Sequence, residues 1–217
     1  MDENLKILLR LAHFVQATFT WCNLSFSELW YLTQTPQSKE EVDLSKGHTL
    51  HFYGIVLQYC IVMEYTKLLE KVYKDENKNV ASIIKLNQKL KEHFGDTFQK
   101  ASINEQIINE LTSSDLYKKF KDLRDKKFGH MDGDFIDDAL KIRGFTGDEI
   151  DECLRELNLI LDVINNCAEK LGYQFSEIVP NRDDRTANFI RYHAKYQQYY
   201  HDNFGKAHNE GYGLIQC

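Results

Sequence analysis

Residues 146–171 read TGDEIDECLRELNLILDVINNCAEKL, and the spacing of their apolar side chains decides the fold class. Ile150, Leu154, Leu157, Leu161, Ile164, Ala168 and Leu171 recur at alternating four- and three-residue steps. A helix turns once in about 3.6 residues, so this pattern sets one apolar seam along a long helix, as in a helical bundle. The start is marked as well. Thr146 and Glu149 have the spacing of a capping box, in which each side chain satisfies a backbone donor beside the other, and Phe145 and Ile150 flank it as a hydrophobic staple. Gly172 supplies the stop.

The same period recurs outward along the chain. Leu5, Leu8, Leu9, Ala12, Val15, Phe19, Cys22, Phe26 and Leu29 predict a helix over about 3–31. Residues 33–47 are polar, contain Pro36 and read as a long loop. A helix over about 48–74 presents Phe52, Ile55, Val56, Tyr59, Val62, Met63 and Leu69, ending at the polar run 75–79. A shorter one, about 80–94, stops at Gly95. Ser102 and Glu105 form another capping box, opening a helical region with Ile107, Leu111, Leu116, Phe120 and Arg124 and a break near Ser113-Ser114. A last helix is expected over about 183–202.

Only two prolines, Pro36 and Pro180, occur, and both fall between helical segments. The expectation is an all-α fold, an antiparallel helical bundle with an additional C-terminal helix. No linker or internal repeat divides the chain, so residues 1–202 are read as one domain and 203–217 as a loose tail. With 42% hydrophobic residues in a chain of 217, a sizeable core can form.

A formal net charge of −6 gives no general attraction for nucleic acid, so any such site has to be local. Lys118, Lys119, Lys121, Arg124, Lys126 and Lys127 form one basic run, diluted by Asp115, Asp122 and Asp125. Such runs are as often solvated helix faces. The five cysteines are scattered without a Cys-x-x-Cys pair, which argues against a disulfide scaffold or a zinc site. The acidic start Met1-Asp2-Glu3-Asn4 lacks the basic opening of a secretory signal, and the longest strongly apolar stretch, 54–63, is too short to span a bilayer. A cytoplasmic protein with no membrane partner is expected.

One segment carries chemistry. In Leu123-Arg124-Asp125-Lys126-Lys127-Phe128-Gly129-His130, a guanidinium that can grip phosphate through two donors lies six residues before an imidazole suited to proton exchange near neutral pH. Six helical steps would turn His130 about 120° from Arg124. The helix therefore has to end between them, and Gly129 is the candidate terminator.

This segment resembles the Arg-x(4-6)-His signature of the HEPN superfamily, particularly its abortive-infection and toxin-like branch. There the arginine is usually followed by Asn, Asp or His, and the histidine is commonly preceded by a small residue. Asp125 and Gly129 match both features. The resemblance implies a metal-independent endoribonuclease with no cofactor. In it the RNA 2′-hydroxyl attacks the phosphate, leaving a 2′,3′-cyclic phosphate. His130 would move protons, Arg124 would stabilise charge on the phosphate, and Asp125 would orient either group. Lys119, Lys126 and Lys127 are candidate RNA contacts. One histidine per chain leaves the second proton transfer without an agent, so the resemblance also implies a homodimer that brings two motifs to one cleft. A neutralising protein partner is compatible with such a toxin-like protein. In a second reading the same residues serve a non-catalytic helical module that binds a protein partner or a nucleotide. Arg124 and His130 together in an open cleft would favour catalysis; Arg124 buried in an ion pair with Asp122 or another carboxylate would favour a structural role.

Other chemistries fit less well. No glutamate has a histidine three residues later, as a ferritin-like di-iron bundle requires. His130-Met131-Asp132-Gly133-Asp134 lacks calcium-loop spacing. His48 and His51 have no carboxylate partners nearby in sequence, and Cys60 falls on an apolar stripe where a core role suits it. Phe189, Tyr192, Tyr196, Tyr199 and Tyr200, beside several cations, could stack RNA bases, but aromatic stripes at helical spacing usually pack, and packing is the expectation here.

Overall fold

A computed structural model describes residues 2–34, 38–45, 48–71, 81–125, 147–175 and 192–195. The fold is all-α, and no strand occurs among the described residues. The helices are α1 (Glu3–Gln34), α2 (Lys39–Ser45), α3 (His48–Leu68), α4 (Ile83–Phe94), α5 (Ala101–Ser113), α6 (Asp115–Leu123) and α7 (Gly147–Lys170). Two compact units can be distinguished. One holds the described residues of Met1–Phe26 and Gln58–Ile178, the other those of Ser27–Leu57 and Val179–Cys217.

The first unit carries the motif arginine. Its core is built from Val15, Phe19 and Cys22 of α1, and from Ile61, Val62 and Tyr65 of α3. Ile83, Leu86 and Leu90 of α4, Leu111 of α5 and Phe120 of α6 complete one side, and Leu157, Ile160 and Ile164 of α7 fill the other; all are buried. On α1, Leu8, Ala12, Val15, Phe19, Cys22, Phe26 and Leu29 are buried as the period predicts, while Leu5 and Leu9 are half-buried. On α7 the helix is as read but its buried face is shifted. Ile150, Leu157, Ile164 and Ala168 are buried, whereas Leu154 is exposed and Leu161 half-buried; Cys153, Ile160 and Cys167 take the interior in their place. α7 packs against α4, α5 and α6, so its neighbours select which flank of the seam is covered.

A buried amide chain fixes the register of α4, α5 and α7. Asn166 Nδ2 donates to Asn104 Oδ1 (2.8 Å), and Asn104 Nδ2 donates to Asn87 Oδ1 (2.9 Å). Asn87 and Asn104 are buried, so sliding any of these helices would strand amide groups without partners.

Three boundary expectations are corrected. Residues 39–45 are helical rather than loop: Ser38 Oγ accepts from the Glu41 backbone N–H (3.1 Å) while the Glu41 carboxylate accepts from the Ser38 N–H (3.4 Å), a capping box read over in the polar stretch. The Ser102–Glu105 box does not cap, because α5 already begins at Ala101 after Lys100, which has helical backbone angles and no side-chain cap. The helix read over about 48–74 ends at Leu68. Ser114 is extended (ψ 152°) and accepts from the Tyr117 N–H (3.0 Å), so the expected break between α5 and α6 is a true cap. Gly95 and Gly172 adopt positive φ (53° and 80°), as helix stops of this kind favour. The capping residue Thr146 and the staple residue Phe145 lie outside the described residues.

In the second unit, Phe52, Ile55 and Val56 of α3 are exposed, contrary to the core role that their spacing suggests. The buried side of α3 begins at Leu57 and continues through Ile61, Val62, Tyr65, Leu68 and Leu69. Residues 192–195 form a helical turn in which Ala194 is buried while Tyr192 is 72% exposed, so Tyr192 is not part of the core of the single chain. Phe189, Tyr196, Tyr199 and Tyr200 lie outside the described residues.

Candidate functional site

Arg124 stands at the end of α6, and three contacts fasten that helix to the end of α3. Tyr117 donates its hydroxyl to the Leu69 carbonyl (3.3 Å). The Phe120 ring meets the Tyr65 ring edge-on, with centroids 5.2 Å apart. One turn beyond Phe120, Arg124 Nη1 forms an ion pair with Glu70. The spacing 117, 120, 124 therefore puts a hydroxyl, a ring and a guanidinium on one face of α6. Arg124 keeps helical backbone angles (φ −58°, ψ −53°), and its N–H donates to the Phe120 and Lys121 carbonyls, so it closes the last turn of α6.

The guanidinium is held from two sides. Nε donates to Asp125 Oδ1 (2.8 Å) and Nη1 to Glu70, while Nη2 has no partner among the described residues. Partial burial by itself would push the guanidinium down, but the hydrogen bonds to Asp125 and Glu70 carry it above its ordinary value. Electrostatics explains the arrangement. Glu70 sits just past the C-terminal end of α3, where helix carbonyls already make the potential negative and a carboxylate is disfavoured. Arg124 sits at the C-terminal end of α6, where a cation is favoured. Their pairing answers both conditions. The side chains are 20% and 13% exposed, so the pair is shielded from water more than an ordinary surface bridge.

Two lysines of the same run are also engaged. Lys119 forms an ion pair with Glu149 in the first turn of α7, and Lys118 pairs with Asp115 (3.0 Å). The described segment thus brings Arg124 and Asp125 together. His130, Lys126 and Lys127 lie outside the described residues.

A family model for AbiU2, a HEPN family, matches residues 5–189. The chain belongs to the AbiU2 family of HEPN proteins. This membership agrees with the all-α fold and with the abortive-infection branch that the motif suggests. Neither the curated proteins nor the solved structures give a significant match to the chain.

Two residues that support the position of Arg124 were not legible in the sequence. Glu70 is 54 positions from Arg124, beyond any local spacing rule. A carboxylate in the unfavourable field of a helix C-terminus was the available hint that a cation lies nearby. The other is Glu156, on the inner face of α7. It is 0% exposed, its Oε2 accepts from the Tyr65 hydroxyl, and burial pushes its carboxyl up to about 7. Tyr65 is thus held by Glu156 through its hydroxyl while its ring supports Phe120, one turn before Arg124. Position 156 lies within the Cys153–Leu157–Ile160 stripe, which foretells its burial. No helix among the described residues is long and apolar enough to cross a membrane.

Proposed function

We propose that this HEPN protein is a metal-independent endoribonuclease. The RNA 2′-hydroxyl attacks the adjacent phosphorus and displaces the 5′-oxygen, giving a 2′,3′-cyclic phosphate and a 5′-hydroxyl. The observation that carries the proposal is the fixed guanidinium of Arg124, anchored through Nε and Nη1, with Nη2 uncommitted among the described residues and the motif histidine six positions on. A guanidinium already held in place stabilises charge on a phosphorane without first having to be ordered. His130 supplies the proton transfer, and a second copy of the motif across a two-fold axis supplies the complementary one. The two carboxylates beside Arg124 would by themselves repel a phosphodiester, and in this reading Lys126 and Lys127, the next residues in sequence, supply the compensating charge.

A second reading rests on the same ion pair. The largely shielded pair of Arg124 with Glu70 is the arrangement expected of a structural arginine, here tying α6 to α3, and it favours a non-catalytic HEPN module that binds a protein partner or a nucleotide. Incubating purified protein with mixed cellular RNA in EDTA separates the two readings. In the ribonuclease reading, wild type cleaves, while His130→Ala and Arg124→Ala each lose at least about 100-fold in rate. Cleavage abolished by EDTA, or undiminished in His130→Ala, would contradict it.

A further inference from the structure

Helix α1 carries two apolar stripes, one on the inside and one facing water. The buried stripe includes Leu8, Ala12, Val15, Phe19 and Cys22. One position earlier, Ile7, Leu11, Phe14, Thr18 and Trp21 repeat the same alternation of four- and three-residue steps. Three of these are open to solvent: Ile7 is 55%, Phe14 61% and Trp21 65% exposed. From Ile7 to Trp21 the stripe runs roughly 21 Å, about four turns of a helix.

At its N-terminal end the stripe forms one wall of a groove of about 560 Å³, facing α4. Asn4, Ile7, Leu8 and Leu11 line the α1 side, and Lys85, Lys89 and His93 recur at four-residue steps along the α4 side, with Glu92 beside them. On the opposite edge of the stripe, exposed Arg10 sits one turn from both Ile7 and Phe14, and Lys6 lies one turn before it. An apolar strip in a chain of net charge −6 is therefore edged by cations on both sides. Lys89 is paired with Glu92 (2.8 Å), Lys6 with Glu3 (3.0 Å) and His93 with Asp2 (3.8 Å). The two lysine pairs are exposed and join neighbouring turns of one helix, a kind of pairing that an incoming carboxylate can exchange.

We infer that this α1–α4 face binds an amphipathic helix of a protein partner, apolar along one side and acidic along its edges. Apolar anchors at helical steps laid into a groove are the general form of such recognition. A second copy of α1 fits poorly, because it would bring Lys6 and Arg10 against the same cations. A lipid surface fits poorly as well, because the concave groove holds Leu8 and Leu11 below the reach of a flat bilayer. The inference is independent of the cleavage chemistry.

The test uses a synthetic helix of about four turns with leucines at four- and three-residue steps, made with glutamate edges or with lysine edges. Full-length protein carrying Trp30→Phe leaves Trp21 as the only tryptophan, so its emission reports docking directly. The expected result is saturable binding of the glutamate-edged helix, a blue shift of Trp21, and affinity at least about 10-fold above that of the lysine-edged helix. Phe14→Ser and Lys89→Glu should each weaken binding about 10-fold while the melting temperature stays unchanged. Equal affinity for both helices, no binding up to about 1 mM, or indifference to both substitutions would overturn the inference. So would a Trp21 shift produced by phosphatidylserine vesicles and not by the helix.

Discussion

Replacing Glu156 by glutamine should change how stability depends on pH, because this carboxyl is the most deeply buried acid in the described interior. Its Oε2 accepts from Tyr65, and its Oε1 has no hydrogen-bond partner among the described residues. Arg155 Nη2 lies 3.8 Å from Oε1, too far for a hydrogen bond, and that guanidinium is already occupied by Glu152 (2.8 Å) and Glu110 (2.7 Å). Burial raises the carboxyl from an ordinary 4.5 to about 7. Between those values the folded protein holds a proton that the unfolded chain has released, so stability falls as pH rises through this window and levels off above about 7. The raised value corresponds to roughly 3 kcal/mol. Glutamine does not titrate and keeps an acceptor for the Tyr65 hydroxyl. Urea unfolding of both proteins from pH 4.5 to 8 should therefore show the stability of Glu156→Gln relative to wild type rising by roughly 3 kcal/mol across the series. Taking the difference cancels the other titrating groups. A difference that stays constant within about 0.5 kcal/mol would refute the idea that Glu156 is held neutral by burial.

Glu70→Gln should cost about 2 kcal/mol in the same unfolding assay, since it leaves a mostly buried guanidinium short of one of its two anionic partners; unchanged stability would mean that the pair does not tie α6 to α3. Sedimentation at micromolar concentration should show a homodimer if, as proposed, two motif histidines share one cleft; a monomer with full RNA cleavage would remove the two-fold cleft from the mechanism.

The chain's helical plan could be read from its periodicity, because α1 and α7 each keep one four-three pattern over many turns. Which side of a seam is buried could not. Ile150, Leu157 and Ile164 belong equally to two overlapping stripes on α7, and it is tertiary packing, against α4, α5, α6 and Tyr65 of α3, that turns Cys153 and Ile160 inward and leaves Leu154 outside. On α3 the apolar run continues past its buried stretch, so hydropathy marks Phe52 and Ile55 as core although they meet solvent. Short polar helices escape periodicity altogether, and α2 was recoverable only from its cap, Ser38 with Glu41. At the candidate site, the pairing of Arg124 with Asp125 was legible because the two are adjacent in sequence. Glu70 and the Tyr65–Glu156 support were not, because they reach Arg124 through tertiary contacts across α3, α6 and α7.

The central claim concerns bond chemistry, and the termini of cleaved RNA test it most directly. A defined RNA oligonucleotide, incubated with the protein in EDTA, should yield 2′,3′-cyclic phosphate and 5′-hydroxyl ends, while the same oligonucleotide with every 2′-oxygen methylated stays intact. Products ending in 3′-hydroxyl and 5′-phosphate, or cleavage of the methylated strand at the same rate, would contradict attack by the 2′-hydroxyl and the roles assigned to Arg124 and His130.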